Sequence, residues 1–260
     1  MKKFFVIGNP INHSLSPKLH NFWFKKNKIN AVYDKIKLEE SELKNFINKL
    51  RNEEIHGINV TVPFKNKVIK YLDKLSLEVE TTESVNTIYK NGVDIVGHNT
   101  DVAGFELGLR HAKISVLRKS ILILGAGGVV PSIVHSLLNM GCKKIFLSNR
   151  TIEKAVNIKK KFNEIEVLKW GEKPDFDIVI NATSVGLKDD SLDINLNTKD
   201  KIFYDIIYNP KETQFLKKAK ENGNRTENGM FMFIYQANQS FSIWNNVIPK
   251  IDEEVLKILE

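Results

Sequence analysis

Residues 120–151 hold the arrangement that most narrows the possible folds. A short apolar run, Ile121-Leu122-Ile123-Leu124, leads straight into Gly125-Ala126-Gly127-Gly128, and apolar residues then recur at helical spacing to about Met140. A second apolar run, Ile145-Phe146-Leu147, ends in Ser148-Asn149-Arg150-Thr151. Strand, glycine turn, helix and second strand make half of a doubly wound parallel sheet. Glycines at its first turn let the backbone approach a pyrophosphate that rests on the helix N-terminus. The glycines alone would also suit a purely structural turn, because Val130 stands where the dinucleotide pattern wants Gly or Ala; the flanking strand and helix carry the assignment. Pro131 falls in the first helical turn, where a missing N–H costs little.

An absence sharpens this. No Asp or Glu occurs between Gly125 and Glu153. An NAD site places a carboxylate after the second strand for the ribose 2′-hydroxyl. This chain has Arg150 there, which suits a 2′-phosphate, so NADP(H) is the expected cofactor. The plain alternative is a surface arginine following a strand.

About a hundred residues precede this unit, enough for a separate substrate domain. The chain of 260 residues is 42% hydrophobic and 27% charged, ordinary for a globular protein. Its net charge of +8 comes from lysines scattered among Glu and Asn, with no arginine-rich tract, so a solvated basic surface is expected and nucleic acid is not. One cysteine, Cys142, excludes an internal disulfide and a cysteine-based metal cluster, and no metal is expected. Met1-Lys2-Lys3 with the apolar run after it resembles a signal n-region, but the run is too short and meets Asn9-Pro10. Residues 120–142 lack formal charge, yet four glycines, Pro131, His135 and Asn139 argue against a membrane span. A cytoplasmic protein, monomeric or homodimeric, is expected.

Strand and helix signals alternate along the chain, which predicts an α/β protein with parallel sheets. Strands are expected at 4–7, 32–38 and 58–62, with a hairpin of 85–89 and 93–96 around Asn91-Gly92. Helices are expected at 17–26, 41–51 and 102–111, the last capped by Asp101. Beyond the glycine unit, strands are expected at 178–181 and 202–205, and helices at 212–222, 230–244 and 247–259.

Several polar residues sit at element ends. Ser14 and Ser16 flank the start of the first helix: Ser16 is a natural N-cap before Pro17, but capping leaves Ser14 unexplained, and two hydroxyls at a helix N-terminus suit a carboxylate. Asn59 and Thr61 interrupt the apolar strand at 58–62, either as a solvated face or as ligand contacts. Lys65 lies just past that strand, where open α/β sheets bind ligands, though lysines there are more often surface residues. Asn86 and Asp101 close two further elements. Asn181-Ala182-Thr183-Ser184 and Tyr204–Pro210 end strands of the cofactor half, and Gln236 is polar within an apolar helix.

Taken in order, these segments resemble the shikimate dehydrogenase family. The resemblance rests on Gly8-Asn9-Pro10, Ser14-Leu15-Ser16-Pro17, Asn59-Val60-Thr61-Val62-Pro63-Phe64-Lys65, Val85-Asn86-Thr87, Gly97-His98-Asn99-Thr100-Asp101, Gly125 to Gly128, Asn149-Arg150-Thr151, Asn181-Ala182-Thr183-Ser184, Asp205 to Pro210 and Tyr235-Gln236. It implies NADPH-dependent reduction of 3-dehydroshikimate to shikimate, a step toward aromatic amino acids. It implies a substrate domain over 1–101 plus 230–260, a Rossmann-type NADP domain over 102–229, C-terminal helices returning to the substrate domain, and a site between the two. By the same resemblance Ser14 and Ser16 hold the substrate carboxylate. Asn59, Thr61, Asn86, Asp101 and Gln236 meet its hydroxyls, and Tyr208 lies near the carboxylate or nicotinamide. Lys65 and Asp101 are the catalytic pair. The cofactor contacts are Gly125, Ala126, Gly127, Gly128, Asn149, Arg150, Thr151, Thr183, Ser184, Gly229 and Met232, with Lys154 near the phosphate.

Two departures stand out. Val130-Pro131 follows the glycines where the family has a small residue and then a cation, and Phe231 replaces a glycine that lies near the nicotinamide. Two competing functions remain: a quinate/shikimate enzyme of broader use, against which Ser14 and Arg150 argue, and a catalytically silent NADP-binding protein, against which Lys65 and Asp101 argue.

Overall fold

The computed structural model describes residues 1–188 and 190–260. The chain divides into two compact units, Met1–Gly104 with Ile234–Glu260, and Phe105–Phe233.

In the first unit the order is β1 (Lys2–Gly8), α1 (Ser16–Lys26), β2 (Ala31–Lys37), α2 (Leu43–Arg51), β3 (Gly57–Val60), β4 (Lys74–Leu75), α3 (Leu77–Thr82), β5 (Thr87–Asn91) and β6 (Asp94–His98). Helix α4 (Asp101–His111) begins in this unit. The six strands form one sheet in the order β2-β1-β3-β5-β6-β4. This sheet is mixed, not purely parallel: β1 runs parallel to β2 and β3, whereas β5 is antiparallel to β3 and β6. The cause is the tight hairpin, whose loop is Gly92-Val93, one residue later than the sequence indicated, with Gly92 at φ +62°. Such a turn reverses the chain without a crossover helix.

This topology brings several loops to one edge of the sheet. Residues after the C-terminal ends of β1 and β3 share that edge with the N-terminal end of β5 and the C-terminal end of β6, because Asn59 pairs with Thr87 and Thr87 with His98.

The second unit holds β7 (Ser120–Leu124), α5 (Val130–Asn139), β8 (Lys144–Ser148), α6 (Ile152–Lys159), β9 (Ile165–Leu168), β10 (Ile178–Asn181), β11 (Ile202–Asp205), α7 (Gln214–Glu221) and β12 (Arg225–Glu227). Its sheet is all parallel in the order β12-β11-β10-β7-β8-β9. The strand order reverses between β7 and β10, which is where such sheets bind ligands. Strands β7 and β10 are buried on both faces, as a parallel sheet covered by helices requires. Helix α8 (Met230–Asn245) starts in this unit and continues in the first, where α9 (Glu253–Leu259) also lies. The unit boundaries therefore fall within α4 and α8 and not at their starts.

Several element ends differ from the sequence expectation. Strand β3 stops at Val60, so Thr61 and Val62 lie beyond it, and the N–H of Thr61 donates to the Ile7 carbonyl at 2.9 Å. The expected helix over 247–259 shrinks to α9. Asn246 takes a left-handed φ of +52° and Pro249 follows, so the chain turns before Asp252 caps the last helix through the N–H groups of Glu254 and Val255. Helix α7 starts two residues late because Thr213 serves as its cap.

One face of the first sheet is covered by an aromatic cluster. Phe4 packs against Phe24 and Trp244 at centroid distances of 5.2 and 5.1 Å, and Phe241 lies 5.1 Å from Phe24. A Cβ on Gly57 would meet the Trp244 indole at 2.6 Å, which explains glycine there. His20 is fully buried in this cluster, stacked on Tyr33 at 4.3 Å, and among the described residues neither ring nitrogen has a hydrogen-bond partner. Burial therefore lowers its pKa to about 3. The folded protein keeps the ring neutral while the unfolded chain protonates it near pH 6.5, so stability is present above that pH and is lost as pH falls through 6.5 toward 3. At pH 4 the loss is on the order of 3 kcal/mol. Urea unfolding of wild type and His20→Leu at pH 7 and pH 4 should show the variant losing markedly less stability on acidification; parallel losses would refute the assignment.

Candidate active site

Lys65, Asn86 and Asp101 converge on the shared edge of the first sheet. Lys65 sits in the turn after β3, its carbonyl accepting from the Val85 N–H at 2.8 Å. Its ammonium donates to Asp101 Oδ2 at 2.5 Å, and both side chains are nearly buried. Asn86 Nδ2 donates to Asp101 Oδ1 at 3.0 Å, so each carboxylate oxygen has a separate donor. Helix α4 begins with Asp101 itself, and the Asp101 carboxylate is spent on Lys65 and Asn86; it is not the N-cap that its position suggested. The Asn99 side-chain oxygen instead accepts the Asp101 N–H at 3.0 Å. A buried lysine held against a carboxylate at a sheet edge is a group that can pass a proton to a bound oxygen.

Asn86 also donates to Gln236 Oε1 at 3.3 Å, which brings α8 to the same edge. Thr61 stands half-buried just past β3, and its hydroxyl has no hydrogen-bond partner among the described residues. Its methyl group lies where a Cβ on Gly8 would fall, at 2.5 Å, so glycine at position 8 is what lets Thr61 seat there.

The serine pair needs one correction. Helix α1 starts at Ser16, with Leu15 in the N-cap position and no side-chain cap bond of its own. Ser14 Oγ accepts the Ser16 N–H at 3.3 Å, so Ser14 supplies the terminal acceptor and Ser16 is the first helical residue. Ser16 is 8% exposed, and its hydroxyl is left without a protein partner among the described residues. Asn59 differs from its expected role. Its Nδ2 reaches the Asn86 carbonyl, Thr87 Oγ1 and Ser240 Oγ at 2.9, 3.2 and 3.0 Å, and its Oδ1 accepts from the Tyr33 hydroxyl at 2.7 Å. Its hydrogen-bonding capacity is used inside the protein.

In the second unit the glycine loop follows β7. Gly125 has φ +107°, and a Cβ there would meet the Ala182 carbonyl at 2.7 Å, so only glycine fits between the two strand ends. Gly127 and Gly128 are exposed, and a Cβ on Gly127 would meet nothing within 4 Å. Helix α5 opens after them without a side-chain cap. Open space over a glycine backbone at an uncapped helix start fits a diphosphate. At the end of β8, Asn149 Nδ2 bonds the Thr151 carbonyl at 2.7 Å and so shapes the turn that carries Arg150. Arg150 is exposed and has no ion-pair partner among the described residues. Thr151 caps α6 by position, and Lys154 is exposed on that helix.

Asn181, Thr183 and Asp205 form an internal brace. Asn181 Oδ1 accepts the N–H and hydroxyl of Thr183 at 3.1 and 2.7 Å, and Asn181 Nδ2 bonds both Asp205 oxygens at 3.2 Å. Asp205 also accepts from Thr213 Oγ1 and the Ile207 N–H. Burial pushes its carboxyl up to about 6 against the pull of these donors. Ser184, next to Thr183, is exposed. Gly229 and Met232 are packed internally: a Cβ on Gly229 would fall on the Ile206 carbonyl oxygen, and the Met232 backbone lies 3.0 Å from where a Gly108 Cβ would be. Tyr208 belongs to this second unit and stacks on Phe233 at 4.2 Å. Phe231, the departure at the start of α8, turns its ring onto His111 at 3.5 Å.

Sequence reasoning missed Tyr33, Thr87, Thr100 and Ser240, whose hydroxyls join the buried network. Polar residues within an apolar helix or strand were the available signal.

An all-parallel doubly wound sheet with a glycine turn at its switch point defines a dinucleotide-binding unit, joined in one chain to a unit that presents a lysine–carboxylate pair. Sequence models of the shikimate dehydrogenase substrate-binding domain and of shikimate/quinate 5-dehydrogenase match residues 6–88 and 107–206. The chain is 55% identical, over all of its length and 99% of the relative's, to a shikimate dehydrogenase (NADP(+)) of Pelagibacter ubique. It resembles the crystal structure of shikimate dehydrogenase from Aquifex aeolicus with a TM-score of 0.91 at 36% identity, covering 100% of this chain and 98% of that one. It also resembles the Thermus thermophilus enzyme crystallised with NADP(H) and shikimate, with a TM-score of 0.90 at 27% identity, covering 99% and 100%. The chain belongs to the shikimate dehydrogenase family. Among the described residues no helix is long and apolar enough to cross a membrane, and no cluster of His, Cys, Asp or Glu could hold a metal.

Proposed function

We infer that the protein catalyses the reversible reduction of 3-dehydroshikimate to shikimate with NADPH, a step of aromatic amino-acid biosynthesis. The observation that carries this is the Lys65–Asp101 pair with Asn86, in a chain similar over its whole length to NADP-dependent shikimate dehydrogenases.

Bound NADPH supplies the hydride to the C3 ketone carbon. Lys65 meets the ketone oxygen, stabilises the negative charge that develops there and gives it a proton. Asp101 holds the ammonium in place through the 2.5 Å contact. Asn86 orients Asp101 and, with Thr61 and Gln236, binds substrate hydroxyls. Ser14 and Ser16 take the carboxylate at the start of α1, where unfilled N–H groups favour an anion. In the second unit the 125–128 backbone takes the pyrophosphate, Arg150 and Lys154 the 2′-phosphate, and the exposed Ser184 the nicotinamide side. The brace of Asn181 and Asp205 fixes the loop on which Thr183 and Ser184 sit. We place the protein in the cytoplasm, where its single cysteine has no disulfide to form.

Mixing the protein with NADPH and 3-dehydroshikimate should consume NADPH, read as falling absorbance, and yield shikimate. Run in the oxidative direction, NADP+ with shikimate should turn over much faster than NADP+ with quinate. Equal rates would establish the broader quinate/shikimate activity, and no turnover with either would establish a silent binding protein.

A further inference from the structure

We propose that Ser240 is a positioning residue for this reduction, setting the direction of the Asn86 amide through the Thr87 hydroxyl. The inference rests on the roles of Asn86, Asp101 and Lys65 given above.

Ser240 lies on α8, one turn beyond Gln236, and is completely buried. Its hydroxyl reaches four elements. It donates to the Gln236 carbonyl at 3.1 Å within α8, and it lies 3.0 Å from Asn59 Nδ2 on β3, 2.7 Å from Thr87 Oγ1 on β5 and 3.2 Å from Thr100 Oγ1 just before α4. A hydroxyl has a single proton and two lone pairs. With its proton on the Gln236 carbonyl, Ser240 must accept from its neighbours, and the shortest of these contacts takes the proton of Thr87. The Thr87 hydroxyl then has none to give to Asn86 Oδ1, although that oxygen is only 3.1 Å away. Asn86 Oδ1 is left to the Thr100 N–H at 2.8 Å and the Thr100 hydroxyl at 3.2 Å. With its oxygen side fixed, the Asn86 amide nitrogen points at Thr100 Oγ1, Asp101 Oδ1 and Gln236 Oε1. The amide therefore cannot flip without putting its oxygen against the Asp101 carboxylate.

Remove the Ser240 hydroxyl and Thr87 loses its nearest acceptor. Its proton turns to Asn86 Oδ1, which then faces three donors with two lone pairs. Asn59 Nδ2 keeps the Asn86 carbonyl and Thr87 Oγ1 as acceptors for its two protons, so the loss falls on Thr87. Three donors cannot share two lone pairs, so Oδ1 is drawn toward Thr87 and the Asn86 amide tilts off its present line, weakening the donor that holds Asp101 against Lys65, while a full flip stays barred by the Asp101 carboxylate. Packing alone does not call for a hydroxyl here, since alanine would occupy the same buried spot.

The test is a double-mutant cycle of Ser240→Ala with Asn86→Ala in the full-length enzyme, with kcat corrected for the folded fraction. Ser240→Ala should lower kcat roughly 5- to 10-fold, the scale of one neutral hydrogen bond, and leave the KM for NADPH unchanged. In the Asn86→Ala background the same substitution should have no further effect on kcat. Equal fold losses in the two backgrounds would overturn the proposal, because a general packing defect adds independently. If Ser240→Ala does not fold, Ser240→Cys keeps the side-chain shape while offering Thr87 only a weak acceptor, and the same two outcomes decide. Lys65→Ala, run alongside, tests the underlying roles separately: full activity of that variant defeats them, whereas a wild-type kcat for Ser240→Ala with Lys65→Ala inactive defeats only the proposal.

Discussion

Lys65→Ala should cut turnover of 3-dehydroshikimate with NADPH by roughly 10²–10⁴-fold, the contribution of a well-placed general acid. NADPH binding should change little, because the cofactor contacts proposed above lie on the β7 and β8 loops of the other unit. The pair is nearly buried, so removing the ammonium leaves the Asp101 carboxylate, among the described residues, with only the Asn86 amide as partner and lowers stability as well. Breaking a buried pair from one side can cost about 3–5 kcal/mol, less where water still reaches it. Thermal melts must therefore accompany the kinetics. Asp101→Asn keeps a polar group of the same shape and should also slow turnover. The double variant should be much less impaired than the product of the two single losses, since the two side chains act as one unit. A folded Lys65→Ala enzyme with wild-type turnover would remove Lys65 from the chemistry.

The sequence revealed what is local and periodic. Strand β7, the glycine turn and α5 are encoded within a few residues by an apolar run, glycines and a helical repeat, and they appear where that pattern puts them. The network around Asn86 is different. Asn59, Thr87, Thr100 and Ser240 come from four elements far apart in the chain, and nothing in their neighbours' spacing says that their side chains meet. Asn59 shows the consequence: as a polar residue in an apolar strand it looked ready for a ligand, but three distant partners take its amide. Ser16 lost the expected cap role for a subtler reason: the helix begins one residue before the expected Pro17, so Ser16 is its first residue and the terminal acceptor, Ser14, lies two residues upstream. Asp101 was ambiguous between capping and chemistry, and what rules out the cap is its pairing with Lys65, which lies 36 residues away. The hairpin of β5 and β6 was legible, but its antiparallel fit against β3 was not, because alternating strand and helix signals favoured a wholly parallel sheet. Phe231 looked like an obstacle to the cofactor; only the fold shows a partner for its ring, His111.

The second large effect belongs to Arg150. It stands at the end of β8 on a turn shaped by Asn149, exposed and without an ion-pair partner among the described residues. No carboxylate lies between Gly125 and Glu153 to compete for it or to hold a ribose 2′-hydroxyl. A guanidinium is permanently charged and planar, so it can grip a phosphate through two parallel bonds or stack on the adenine. Val130-Pro131 puts no cation at the start of α5, so the proposed 2′-phosphate contact falls to Arg150 and Lys154. Arg150→Ala should therefore weaken NADPH by roughly 10–100-fold, the worth of a charge-assisted hydrogen bond to phosphate, while NADH activity barely changes. Adding Asp at position 149 should move preference further toward NADH, since a carboxylate repels the 2′-phosphate and accepts from a ribose hydroxyl. Binding of 2′,5′-ADP against 5′-ADP, measured by calorimetry, isolates the phosphate from the chemistry. Arg150→Ala should abolish the wild-type preference for the 2′-phosphorylated ligand. If the variant loses affinity for both ligands equally, Arg150 serves the adenine or the fold and some other cation reads the phosphate.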